Sequence, residues 1–192
     1  MAPARKAETR ETRHSRAPLV QAQIRALRAM AAAGIEPPAA DESAGAGLVL
    51  ASTMAAGFAL ELGLKLFYMT FHGDGPPTGH ELKKLFDSLH DNIKADIETH
   101  YAAVRPTADR RTYAFRISAS APPTPGDRTI GKVDTAQALF ETASNAFVQS
   151  RYLYERVSSD DWVLIANNVP FMLKMSEALE TLYEGYVALG SR

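Results

Sequence analysis

The stretch Ala44–Phe71, AGAGLVLASTMAAGFALELGLKLFYMTF, decides the architecture. Leu50, Met54 and Phe58 recur on one helical stripe and Thr53, Leu60, Leu64, Phe67 and Phe71 on another. A helix over roughly Asp41–Phe71 is therefore apolar around most of its circumference, and in water such a helix is stable only when other elements cover it. Its longest uncharged run ends before Glu61, short of the roughly 18–20 apolar residues that span a bilayer. Gly45, Gly47, Gly57, Gly63, Glu61 and Lys65 dilute it further. The expectation is a buried central helix and no membrane.

Working outward, Pro18–Ala33 places Val20, Ile24, Leu27 and Met30 or Ala31 at helical spacing. This predicts a first amphipathic helix, ended by Gly34 and the Pro37-Pro38 pair. Residues 1–16 lack apolar periodicity and read as a flexible basic leader, with 17–192 as a single domain. On the other side, Gly73-Asp-Gly-Pro-Pro stops the central helix, and Thr78-Gly-His-Glu81 has the form of a capping box. A third helix is expected from near Gly79 to about Tyr101, with Leu82, Leu85, Phe86, Leu89, Ile93 and Ile97 on its apolar face.

From Arg105 to Val133 the pattern breaks at Pro106, Pro122, Pro123 and Pro125, which reads as an insertion across the bundle surface; only Tyr113–Ile117 alternates like a short strand. Asp134, with Gln137 in the capping-box position, is expected to start a fourth helix reaching about Val157. The final helical region runs from about Trp162 to Leu189, with Pro170 in the first turn of its last helix or at a kink. The fold class expected is all-α, a four- to five-helix bundle with a long Pro-rich insertion (105–133) between the third and fourth helices.

Composition narrows the functional classes. With 46% apolar and 22% charged residues the chain has ordinary globular character. The absence of cysteine excludes disulfides, thiolate catalysis and cysteine zinc sites, and cytoplasm is the expected compartment. Residues 1–28 hold seven Lys/Arg against two acids, so the leader is near +5 and the remainder near −6. That asymmetry is either a solvated tail or an electrostatic handle for nucleic acid or an acidic partner. No secretory signal is visible. Gly73–Gly79 lacks the spacing and lysine of a phosphate loop, no nucleophile-elbow sequence occurs, and no cofactor is expected. His72, His80, His90 and His100 stand eight, ten and ten apart, whereas helical metal ligands stand three or four apart, so no metal is expected; Asp87 and His90 read as a solvated face.

The polar residues of the central helix are the candidate site. Glu61 and Lys65 stand at i,i+4 with the acid first, the favourable order for a helical ion pair. Charges on so apolar a helix need partners, because an ion desolvated alone is too costly. Arg151-Tyr-Leu-Tyr-Glu155 offers a matching set, and the expected quartet pairs Glu61 with Arg151 and Lys65 with Glu155. Two readings stand open. The quartet fixes helix register, or Arg151 or Lys65 holds an anionic group such as a phosphate while Tyr152 or Tyr154 lends a hydroxyl or a stacking face.

Ala59-Leu-Glu-Leu-Gly-Leu-Lys65, a Gly/Pro loop, and then Thr78-Gly-His-Glu-Leu-Lys-Lys-Leu85 resemble the first half of the HEPN superfamily; Phe147-Val-Gln-Ser-Arg-Tyr-Leu-Tyr-Glu155 is similar to a later segment of HEPN-like bacterial proteins. The resemblance covers roughly residues 45–190 and rests on short motifs. It implies a four- or five-helix bundle, frequent dimers, and roles in RNA cleavage, toxin–antitoxin pairs, antiphage defence or nucleotide binding. His80 matches the histidine that opens the third helix, where it packs or hydrogen-bonds. The nuclease members carry an arginine followed after four to six residues by a histidine. Here the nearest approach is Arg10 with His14, one residue too close, and Arg151 is followed by no histidine. The expectation is a noncatalytic, homodimeric HEPN-like protein that binds a nucleotide, RNA or a protein partner. A divergent ribonuclease or toxin using Arg151 with His80, and a purely structural self-assembling subunit, are the alternatives.

Overall fold

The computed structural model describes residues 10–34, 42–71, 77–105, 111–117, 124–144, 163–167 and 169–190. Its helices are α1 (Arg10–Ala33), α2 (Glu42–Phe71), α3 (Leu82–Asp87), α4 (Asp91–Val104), α5 (Ala136–Thr142) and α6 (Val169–Gly190); its strands are β1 (Arg111–Ile117), β2 (Thr124–Lys132) and β3 (Val163–Asn167). The core is a helical bundle, as the periodicities require. Leu60, Leu64 and Phe67 of α2 and Met172, Met175 and Leu179 of α6 share one buried cluster with Ile93, Ile97 and Tyr101 of α4 and Leu139 and Phe140 of α5.

α2 is the central element. Gly47–Phe71 is long and apolar enough by length and composition to cross a membrane even with Glu61 and Lys65 inside it, contrary to the shorter count from its uncharged run; more than half of that span is nevertheless buried within the fold. α1 and α6 flank it. α1 begins at Arg10, not Pro18, so part of the expected leader is helical, and Pro18 lies exposed inside the helix. Ile24 and Ala31 are the buried positions of its inward face, while Met30, the alternative to Ala31, is exposed. Across the top of that interface Arg28 pairs with Glu180 at 2.8 Å and Arg25 with Glu184 at 3.0 Å. Gly34 ends α1 hard against α2: a Cβ there would lie 2.0 Å from Ser52 Oγ.

The third helix expected from Gly79 to Tyr101 is two helices. Ser88 Oγ donates to Leu85 O at 2.7 Å, a local bond that competes with helix continuation, and His90 turns to extended backbone as the N-cap of α4. Thr78 does not cap α3 either, because the helix starts later, at Leu82, and its first amides are taken from outside: Leu82 N donates to Ser144 O at 3.1 Å and Lys83 N to Ser144 Oγ at 3.3 Å. Phe86 and Phe140 pack at 4.9 Å between ring centroids, so α3 and α5 are joined by core as well as cap.

The same trans-element capping starts α5. The expected cap Asp134 is displaced by Thr135, whose hydroxyl accepts from Ala138 N at 3.0 Å, and by Glu98 of α4, whose two oxygens accept from Ala136 N at 2.7 Å and Gln137 N at 2.9 Å. A carboxylate spanning two first-turn amides satisfies donors that the helix cannot pair itself and suits the positive end of its dipole. α5 closes at Thr142 and Ala143-Ser144 turn out of it, so the expected fourth helix does not run on unbroken; residues 145–157 lie outside the described residues.

The insertion between α4 and α5 carries backbone structure. β1 pairs antiparallel with β2 and with β3 in the order β2-β1-β3, so Val163–Asn167 is a strand and not the helix expected from Trp162. Val163-Leu-Ile165 favours a strand through its branched side chains. α6 then begins at Val169 with Pro170 in its first turn, where the missing N–H costs nothing. The stem of the insertion is closed on the bundle: Tyr101 Oη donates to Val133 O at 2.9 Å and Arg105 donates to Asp134 O.

Two outcomes follow. Glu98→Ala should cost about 1–3 kcal/mol in urea unfolding, because two helix amides lose a charged acceptor at once, whereas Glu141→Ala on the exposed side of α5 should be near neutral. Burial pushes the Tyr186 phenol up to about 12, with its hydrogen bond to Asp96 acting in the same direction. Its neutral form is thus favoured in the folded state, so that contribution to stability is complete below the unfolded value near 10 and is lost as pH rises towards 12. Tyr186→Phe should flatten the alkaline fall in melting temperature.

Candidate functional site

α2 delivers a carboxylate into the bundle. Glu61 is only 2% exposed, and it is held by two nitrogen groups: Lys65 Nζ donates to Oε1 at 2.7 Å, and His80 Nδ1 stands 3.0 Å from Oε1 and 2.9 Å from Oε2. An ionised carboxylate only accepts, so Nδ1 carries the proton in this contact. The two partners reach outward by degrees, Lys65 at 20% side-chain exposure and His80 at 50%. The carboxylate lies at the buried end of the cluster, and the lysine and the imidazole lie towards its rim.

The positions follow from the chain. Lys65 is one turn beyond Glu61 on α2, the ordinary helical pairing. His80 arrives from sequence 19 residues away. Glu61 lies ten residues, about 15 Å of helix, before the end of α2, so the chain must double back along α2 to bring His80 there. Gly79 supplies the turn: its φ of +113° is a conformation that L side chains rarely adopt. Ser144 then fixes the start of α3 two residues past His80, which anchors the turn.

Of the residues expected at the site, the fold brings together Glu61, Lys65 and His80. Arg151, Tyr152, Tyr154 and Glu155 lie outside the described residues, and with them the expected Glu61–Arg151 and Lys65–Glu155 pairs. Sequence reasoning placed His80 at a helix start and paired it only with Arg151, in the ribonuclease alternative; the signal that could have paired it with Glu61 was Gly79, a turn residue directly before a histidine, following an apolar helix that carries a buried acid. Among the described residues no three His, Asp or Glu side chains converge as a metal cage.

A second candidate lies between α1, α2 and α6. A cavity of about 10 Å³ is lined by Gln21, Ile24, Phe67 and Leu179, and by the buried Ser176, whose hydroxyl has no hydrogen-bond partner among the described residues. It has room for about one water and no more. No protein-family model, curated protein or solved structure matches the chain.

Lys65→Met should destabilise the fold by about 1–3 kcal/mol in denaturant, because it leaves a buried carboxylate short of a charged donor. Combined with Glu61→Gln, the loss should be smaller than the sum of the two single changes, and a double-mutant cycle in urea checks that coupling.

Proposed function

We propose that this chain is a noncatalytic, HEPN-like helical-bundle protein, soluble and homodimeric, that binds the phosphate of a nucleotide or an RNA at the rim of the Glu61–Lys65–His80 cluster. The observation that carries this reading is the graded exposure of the cluster. A buried carboxylate pins a lysine and a histidine so that both are oriented before any ligand arrives, which lowers the entropic cost of binding. Glu61 takes up one positive charge, so the rim gains net positive charge only when His80 is protonated or another cation joins it. Ser144, bonded to the start of α3 beside His80, is seven residues before Arg151, the cation expected to complete the set. The Arg–His ribonuclease spacing is missing from the sequence, which favours binding over cleavage.

The test is isothermal titration of the full chain with inorganic phosphate, AMP and ATP. Saturable binding of at least one probe is expected, weakened about ten- to a hundredfold in Lys65→Gln, His80→Gln and Arg151→Gln, the range for losing a charge-assisted hydrogen bond. Absence of saturable heat with all three, or affinities untouched by these changes, would sink the reading.

One observation favours a second reading. A carboxylate on Nδ1 is the arrangement that orients a histidine for proton transfer. A divergent ribonuclease would use it, and cleavage of single-stranded RNA that disappears in both His80→Ala and Glu61→Gln would replace binding by catalysis.

A further inference from the structure

One member of the Glu61 cluster belongs to the residue type that titrates near neutrality. Glu61 and Lys65 offset each other across 2.7 Å, so the net charge of the three side chains is that of His80. Histidine is the side chain whose ordinary change of charge falls between about pH 5 and 8. Protonation of this one ring therefore takes the cluster from neutral to singly positive.

The carboxylate also decides which ring nitrogen titrates. His80 Nδ1 stands 2.9 Å from Glu61 Oε2 and 3.0 Å from Oε1, and an ionised carboxylate only accepts, so Nδ1 keeps its proton in both states. The change happens at Nε2. In the neutral ring Nε2 is an acceptor whose lone pair repels an oxyanion, and in the imidazolium it is a charged donor. With 50% of its side chain exposed, His80 meets solvent, whereas Glu61 at 2% stays behind it.

The neighbouring charges preserve that balance. Glu61 and Lys65 are the charged members that α2 contributes. On α3 and at its start, Lys84 is held by Glu81 at 2.7 Å and Lys83 by Asp87 at 2.5 Å, two neutral pairs. Ser144, which fixes the start of α3, is uncharged, and Glu141 of α5 lies on the exposed side of its helix.

We propose, resting on the phosphate reading of this cluster, that anion capture at its rim is coupled to uptake of one proton by His80, so that the site fills in mildly acidic conditions and empties as pH rises. The coupling is reciprocal: the factor by which protonation raises anion affinity is the factor by which the anion raises proton affinity of the ring. Lys65 orients the anion at every pH in this range, and His80 supplies the charge that decides its affinity.

The experiment titrates the full chain with sulfate, a tetrahedral oxyanion that stays doubly charged throughout this range, whereas a phosphate monoester takes up a proton of its own near pH 6. Isothermal titration should give an affinity about tenfold or more higher at about pH 5.5 than at about pH 8. Near about pH 7 the heat should depend on the ionisation enthalpy of the buffer, which reports proton uptake. In His80→Gln the affinity should be the same at both pH values. Glu61→Gln should bind sulfate at about pH 8 as the unaltered chain does at about pH 5.5, because Lys65 is no longer offset; a carboxylate that only held the fold together would not produce that gain. Nuclear magnetic resonance of the unaltered protein reads the coupling without any substitution: the His80 ring should titrate with a higher midpoint in sulfate than in chloride of equal ionic strength, while His100, whose Nδ1 bonds to Asp96 O, stays unmoved. Saturable sulfate binding of equal strength at both pH values, weakened by Lys65→Gln, keeps the phosphate reading and overturns the proton coupling, as does a His80 midpoint that sulfate leaves in place. Absence of saturable sulfate binding at either pH overturns both.

Discussion

A carboxylate buried in an otherwise apolar helix constrains everything near it. Glu61 is nearly as inaccessible as Leu60 and Leu64, and a lone ion there would cost far more than one side chain's packing returns. The fold must supply donors at that depth. Lys65 comes with the helix itself, but His80 comes only if the chain after α2 returns along it and turns at Gly79. The return of the chain to α2 therefore serves one acid, and it leaves a lysine and a histidine at the outer end of a buried carboxylate.

The short elements depend on one another more than on their own sequences. α3 has six residues and α5 seven, lengths at which an isolated helix does not persist in water. Each has its first amides paired from another element, α3 by Ser144 and α5 by Glu98, and the two share the Phe86–Phe140 contact. α4 carries Glu98, Tyr101 and Asp96, and these reach α5, the stem of the insertion and α6 respectively. It is the strut that ties the smaller half of the bundle to the larger.

What was legible in the sequence was whatever depends on local periodicity. The apolar stripes of α2 and α6, and Leu82, Ile93 and Ile97 in between, fall where a 3.6-residue repeat puts them, and the Glu61–Lys65 pair follows from the same repeat. What was not legible depends on partners distant in the chain. Thr78-Gly-His-Glu has the form of a cap, but Ser144 does the capping; Asp134 looks like a start signal, but Glu98 and Thr135 supply it. The strand at Val163–Asn167 was hidden because a short branched run next to a helix has no period of its own, and only pairing with β1 decides its state. The contact between His80 and Glu61 belongs to the same class, since nothing within a few residues of either names the other.

Tyr101, Arg105 and Glu98 fix the two feet of the insertion on the bundle. Once the feet are fixed, doubling the length of chain between them raises the closure entropy by only about 0.6 kcal/mol. The helical scaffold is thereby insulated from whatever grows out of that stem. The excursion can be lengthened, shortened or recomposed without rearranging the core that carries it.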